Sequence, residues 1–332
     1  MINVVSSAFE HLASALESVI FFNVLFFTSY KMPLAVFVLF IGVIYFTIAL
    51  KFIHFRMFGK ALKIFFEKEK EVDGNKAVTS RAAFLSAISG CVGVGNISGV
   101  AAALFAGGPG AVLWMLIIGF LITPLRYAEV FLGHFFREKG SDGTITKYGP
   151  YAYIENGLAS KGYSKTFIKF LFIFYIVTIL AGSIGALIFQ VNPLAEIAGD
   201  LLLNNNKTGI FIFSIILAVI CLFVVMGGLK RIVHSMEKVV SIMSIIYLLA
   251  IIAILALHFE NIPNAIRLIV TEAFNIKSLY GGILGIVIVS FTRVIISTEV
   301  GLGTVSFLHG KSQNDSSIRE GLLAMIGPVL AN

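Results

Sequence analysis

Runs of about twenty mainly apolar residues recur along this chain, and that is the length an α-helix needs to cross the hydrocarbon of a bilayer. Seven are present, at 33–53, 82–107, 111–135, 167–190, 209–229, 239–258 and 280–300. An eighth opens near Gly321 and reaches only 12 residues by Asn332, too few to cross. Lipid offers no hydrogen bonds, so each run must satisfy its own backbone, and a helix does so. The fold class is therefore all-α, a polytopic helical membrane protein, with 33–332 as the transmembrane domain. Residues 1–32 form an N-terminal interfacial segment, because 8–28 mix Glu10 and Glu17 with Phe, Leu and Val. Residues 1–19 have no positively charged lead, so no signal peptide is expected.

Charge tests this division. With 58% of residues hydrophobic and only 13% charged, the mean hydropathy is +0.95. A soluble domain carries roughly 25% charged residues. If the N-terminus lies outside, the inside loops are 51–81, 136–169, 230–238 and 309–319, and they hold 19 of the 25 Lys and Arg. The outside segments hold Lys31, Lys207, Arg267 and Lys277. Such a bias is the positive-inside rule, and one missed span would scramble it. The net charge of +7 thus reports topology, and no nucleic acid is expected as a partner. Gly107-Gly108-Pro109-Gly110 reads as a tight outside turn between antiparallel helices. Segment 140–163 reads as an inside loop packed on the bundle.

The third inference concerns Gly90-Cys91-Val92-Gly93-Val94-Gly95-Asn96-Ile97-Ser98-Gly99, in the middle of an apolar run. Each mid-helix glycine costs roughly 1 kcal/mol of helix propensity relative to alanine. Gly93 and Gly95, two apart, point to different sides, so one packing face does not explain both. Asn96 carries an amide that is costly against lipid. The pattern predicts local unwinding, with a half-helix starting near Ile97. Bare carbonyls there suit a cation and bare N–H groups suit a carboxylate. The competing reading is close helix packing through Gly95 and Gly99, extended by Ser98 and Ala102.

Other polar residues carry less. Arg126 and Glu129, three apart, are placed to pair as an inside-end anchor. Arg293 reads as a structural or snorkelling cation, and Glu299 as its partner or a turn cap. Trp114 and Tyr30 read as interface aromatics. Cys91 and Cys221 read as small buried hydrophobes. The six histidines form no metal set, and no nucleophile–base pair, Walker loop or Rossmann glycine motif is present. The chain is not expected to be an enzyme.

Several collinear stretches resemble the alanine-or-glycine:cation symporter family, sodium:alanine symporters with a LeuT-like fold. They are Gly93 to Ala101, Gly107 to Ala111 with Trp114-Met115, Gly149-Pro150 with Tyr153-Ile154-Glu155, and Gly227 to Ile232. Ala273-Phe274 with Gly281, Gly282 and Gly285 follows, then Ser297, Glu299, Gly301, Leu302 and Gly303. The resemblance implies eleven helices, the last ten in two inverted repeats, with 82–107 and 280–300 as counterparts. It implies that Gly93, Gly95, Asn96, Ile97 and Gln190 hold substrate. It makes Gly281, Gly282 and Gly285 a second unwound segment. Gly93 and Asn96 would supply oxygens to sodium, the coupling ion, and no other cofactor is implied. Val94, Val294, Thr298, Val300 and Ala331-Asn332 depart from the family pattern. Roughly the last third of the family's length is not in the chain, so an incomplete LeuT-like core is expected. The function implied is sodium-coupled symport of alanine or glycine across the plasma membrane. The alternative is a truncated, inactive or partner-dependent derivative. Scarcity of mid-helix carboxylates makes proton coupling less natural.

Overall fold

The computed structural model describes residues 22–24, 32–67, 79–141, 143–203, 206–275 and 282–332. The interfacial reading of 8–28 and Tyr30 therefore lies almost wholly outside the described residues. Among those described, four helices are long and apolar enough to cross a membrane, or up to six if each bent pair is one span. Ile283–Thr298 is a further, shorter apolar helix. Each of the seven apolar runs is thus a helix, a bent pair or part of a longer helix.

Helix α1 (Leu34–Ala49) is followed by α2 (Ile53–Phe66), with an 81° bend between them. Lys51 and Phe52 both take left-handed backbone conformations at this corner. The expectation of a loop over 51–81 is corrected here: 53–66 is an amphipathic helix. Its core face places His54, Ala61 and Ile64 at helical spacing, and Arg56, Lys60 and Lys63 fall on another face. Helix α3 (Ser80–Cys91) and α4 (Val94–Gly107) follow, then α5 (Gly110–Leu121) and α6 (Thr123–Phe135). The last two run together as one 26-residue span.

After α6 come a small antiparallel hairpin, Glu138–Lys139 with Ile145–Lys147, and a short helical stretch containing a π-turn at Tyr153–Gly157. Pro150, Ala152 and Gly157 are buried, so this inner segment does pack on the bundle. Helix α7 (Lys165–Leu202) runs 12 residues beyond the expected end at 190. Helices α8 (Lys207–Met226) and α9 (Gly228–Leu257) complete an apolar three-helix unit. Segment 230–238, expected as a loop, forms the first turns of α9. Cys221, expected to be buried, is exposed on α8. Nothing in the apolar windows of α8 and α9 is buried. An apolar surface of that extent is stable only against lipid or other apolar surfaces.

Helix α10 (Ile262–Ala273) is a second amphipathic helix in what the sequence presented as a loop. It lies against α5, where Gly110 approaches the Ala273 backbone so closely that no Cβ fits. The Trp114 indole N–H donates to the Ala273 carbonyl at 2.8 Å and its ring meets Phe274 edge-on. Trp114 is thus a structural lock, a correction to its reading as an interface-belt residue. Helix α11 (Gly282–Thr298) packs on both α4 and α5. Helices α12 (Thr304–Gly310), α13 (Ser317–Ala324) and α14 (Gly327–Ala331) close the described chain. The main core joins α1, α4, α5, α6 and α11 through Val43, Ala103, Met115, Leu125, Ile286 and Val294.

Candidate functional site

The predicted break is present. Helix α3 ends at Cys91, Val92 and Gly93 are extended, and α4 leaves at an angle of 49°. Its first residue is Val94, three residues before the expected start near Ile97. Asn96 explains the difference. Its side-chain Oδ1 accepts the Gly93 N–H at 2.9 Å, which caps the new helix one turn early. The helix start leaves first-turn N–H groups without intrahelical acceptors, and the end of α3 leaves carbonyls without donors. The reading as an unbroken packing helix is overturned by this geometry.

The other side of Asn96 faces distant parts of the chain. Its Nδ2 donates to the Ala331 carbonyl at 2.5 Å and to the Ser297 carbonyl at 3.4 Å. Ser297 Oγ lies 3.3 Å from the Asn332 side-chain oxygen, and the Asn332 amide donates to the Met115 carbonyl at 2.6 Å. The break is therefore met by the C-terminal ends of α11 and α14, whose carbonyl dipoles point into it. These partners were not predicted as site residues.

Gly282 and Gly285 are not among those partners. Both lie in the first turns of α11, which is helical from Gly282, so the expected unwinding is corrected at these two positions. At about 1.5 Å rise per residue, Gly285 stands roughly 18 Å along α11 from Ser297. Gly281 lies outside the described residues, as does the side chain of Gln190, whose backbone is within α7. Ile97 is half exposed on α4, and Gly95 is in that helix's first turn.

Beneath the break, Arg126 and Glu129 pair at 3.2 Å, both almost fully buried. Arg126 Nη2 also donates to the Thr298 carbonyl, and Glu129 Oε2 accepts the Gly301 N–H at 3.1 Å. The pair thus clamps the turn 299–303. Glu299, Gly301 and Gly303 take positive φ there, and Glu299 accepts the Thr304 hydroxyl at 3.0 Å. Glu299 caps the turn, one of its two expected roles, and the described residues show no pairing with Arg293. At Gly303 a Cβ would run into Pro150 and the Tyr175 hydroxyl. Tyr175 Oη donates to the Leu302 carbonyl at 3.1 Å, which ties α7 to the same turn.

Cys91, Arg126, Thr298, His309 and Ala331 line an internal cavity beside the break. It has room for roughly one water molecule. A larger solute enters only if the surrounding helices move. His309 Nδ1 lies 2.6 Å from Glu320 Oε2, both fully buried, and Ser80 also donates to Glu320. Among the described residues no group of three or more His, Cys, Asp or Glu could hold a metal ion.

Outside the spans, charges organise one end of the bundle. Arg137 donates to the carbonyls of Ser312 at 2.6 Å and Asn314 at 2.7 Å, and Lys139 pairs with Asp315. That hydrogen bond holds the Asp315 carboxyl below the usual carboxylate range. Segments 53–67, 137–147 and 311–319, read as one side from their charges, thus converge on one end.

A bundle of apolar spans with a broken helix at its centre defines a multi-pass membrane protein. The chain belongs to the sodium:alanine symporter family, which it matches over residues 15–331. Relatives include an uncharacterised transporter of Haemophilus influenzae, 32% identical over 293 residues. The amino-acid carrier protein AlsT of Bacillus subtilis is 31% identical over 287 residues. The sodium/alanine symporter AgcS of Methanococcus maripaludis is 30% identical over 288 residues. Each match covers 86% of this chain, and 61%, 58% and 62% of the respective relative. The chain therefore spans about three-fifths of the length of these relatives.

Proposed function

We propose that this chain carries the substrate- and ion-binding half of a sodium-coupled symporter for a small neutral amino acid, alanine or glycine. In this reading the core is LeuT-like and sits in the cell membrane with the N-terminus outside. The observation that carries it is the interruption at Val92-Gly93, where free helix-end groups meet the carbonyls of Ser297 and Ala331 around Asn96. Irregular backbone at membrane depth persists only where it is buried in protein or lines a cavity. First-turn N–H groups of α4 would take the substrate carboxylate, and nearby carbonyls the ammonium and Na⁺. Gly93 and Asn96 are the proposed sodium contacts. Names of two relatives, a sodium/alanine symporter and an amino-acid carrier, support the same class. In this reading transport proceeds by alternating access, with helices around the break moving to admit the amino acid.

The test is alanine and glycine binding to the purified chain with and without Na⁺, comparing wild type, Asn96→Ala and Gly95→Leu. Binding that needs Na⁺ and is lost in both variants is expected. Equal, Na⁺-independent binding by all three would remove the proposed site.

A further inference from the structure

Helix α2 presents three faces, not two. His54, Ala61 and Ile64 are buried against the bundle. Phe55, Leu62 and Phe66, spaced seven and four residues apart, form an exposed apolar stripe. Between these lies a third stripe with Lys60 and Lys63, which forms one wall of an open groove of about 700 Å³. The opposite wall is α13, with Arg319. Ile64 and Leu322, both buried, form an apolar floor. Arg319 Nη1 bonds Glu67 Oε2 at 2.6 Å and closes one end. Neither Lys60 nor Lys63 has an acidic partner among the described residues, so the groove these residues form carries a surplus of positive charge among them.

We infer that this groove binds the headgroup of an anionic phospholipid. The apolar stripe fixes the depth: exposed Phe55, Leu62 and Phe66 are stable when sunk into the acyl boundary, which leaves the lysines at headgroup level. An apolar floor under a cationic rim matches a phosphate attached to glycerol and acyl chains. A fully solvated anion would gain nothing from Ile64 and Leu322. Basic pockets between membrane helices are sites of this chemistry. The inference goes beyond the transport reading and stands without it.

The experiment is native mass spectrometry of the purified full chain, offered equal phosphatidylcholine, phosphatidylglycerol and cardiolipin. Two variants accompany it, Lys60→Glu/Lys63→Glu and Gly59→Phe. Gly59 lines the groove and has open space where a side chain would go. The phenylalanine fills the groove without changing charge and at a gain in helix propensity. Wild type is expected to retain the anionic lipids over phosphatidylcholine. The charge reversal should lower that retention by roughly tenfold or more, since each juxtamembrane cation contributes measurably to anionic-lipid binding. Gly59→Phe should lower it as well, with the melting temperature of both variants close to wild type. The inference is overturned by equal retention of all three lipids, or by unchanged selectivity in either variant. Displacement of bound lipid by millimolar inorganic phosphate would equally overturn it, by assigning the site to a free anion.

Discussion

Glu129→Gln tests how the turn at 299–303 is held. The substitution keeps an oxygen that accepts the Gly301 N–H but removes the counter-ion of Arg126, which is 2% exposed. Arg126 is left with the Thr298 carbonyl as its remaining acceptor among the described residues. Uncoupling a buried pair by removing one partner costs about 3–5 kcal/mol, because the other charge stays desolvated. Arg126→Met removes the positive charge while keeping an unbranched apolar stem, and it strands Glu129 in the same way. The double variant, Arg126→Met/Glu129→Gln, leaves no uncompensated charge behind. Its cost reduces to the lost bond to Thr298, about 1 kcal/mol. The two single losses should therefore exceed the double loss, with a coupling of at least about 2 kcal/mol. Thermal melts in detergent read this out. Each single variant should fall on the order of 10 °C and the double variant by a few degrees. If the double variant falls by the sum of the singles, the pair is not acting as a unit. If Glu129→Gln melts with wild type, the clamp does not hold the turn.

Two further outcomes are expected. His54 is fully buried between Phe55 and Phe120, neither ring nitrogen has a partner among the described residues, and burial lowers its pKa from the ordinary 6.5. The unfolded chain takes up a proton as pH falls below 6.5 while the folded chain does not, so stability declines with acidity until the lowered folded value is reached. His54→Leu should remove that decline and raise stability by about 1–3 kcal/mol by deleting unpaired buried nitrogens, and melts at pH 5.5 and 7.5 that stay equally separated in variant and wild type would refute this. Gly303→Ala should destabilise by about 1–2 kcal/mol from the left-handed backbone alone, with the close approach of Pro150 adding to it, and a melting temperature unchanged from wild type would show that the turn relaxes freely.

How much of the fold was legible follows from what each element depends on. Spans are legible because their apolar length is a property of contiguous residues. The amphipathic helices 53–66 and 262–273 look like loops by hydrophobicity because they carry charge, although His54, Ala61 and Ile64 have helical spacing. The apolar run of α7 ends near 190, where Asn192 and Pro193 interrupt it, yet the backbone continues as helix to Leu202. In each case the signal lies in periodicity and not in hydrophobicity. The exposed position of Cys221 shows the same limit: in lipid, apolar composition does not distinguish a buried face from an outer one.

The site divides along similar lines. Its near half was legible, since four glycines around Asn96 are a local conflict with helix propensity that has to be resolved in place. Its far half was not, because the carbonyls of Ser297 and Ala331 reach Asn96 across 201 and 235 residues. A backbone carbonyl carries no side-chain signature, so no residue type marks it in advance. The same argument separates the two glycine clusters. Gly282 and Gly285 look like Gly93 and Gly95 in composition, but α11 passes through both as regular helix. What distinguishes the true break is Asn96, which reaches back to Gly93 N–H and forward to two other helix ends with one amide. Replacing that amide removes the group that joins the interruption to its surroundings, which is why Asn96 and not a glycine is the decisive position for testing the site.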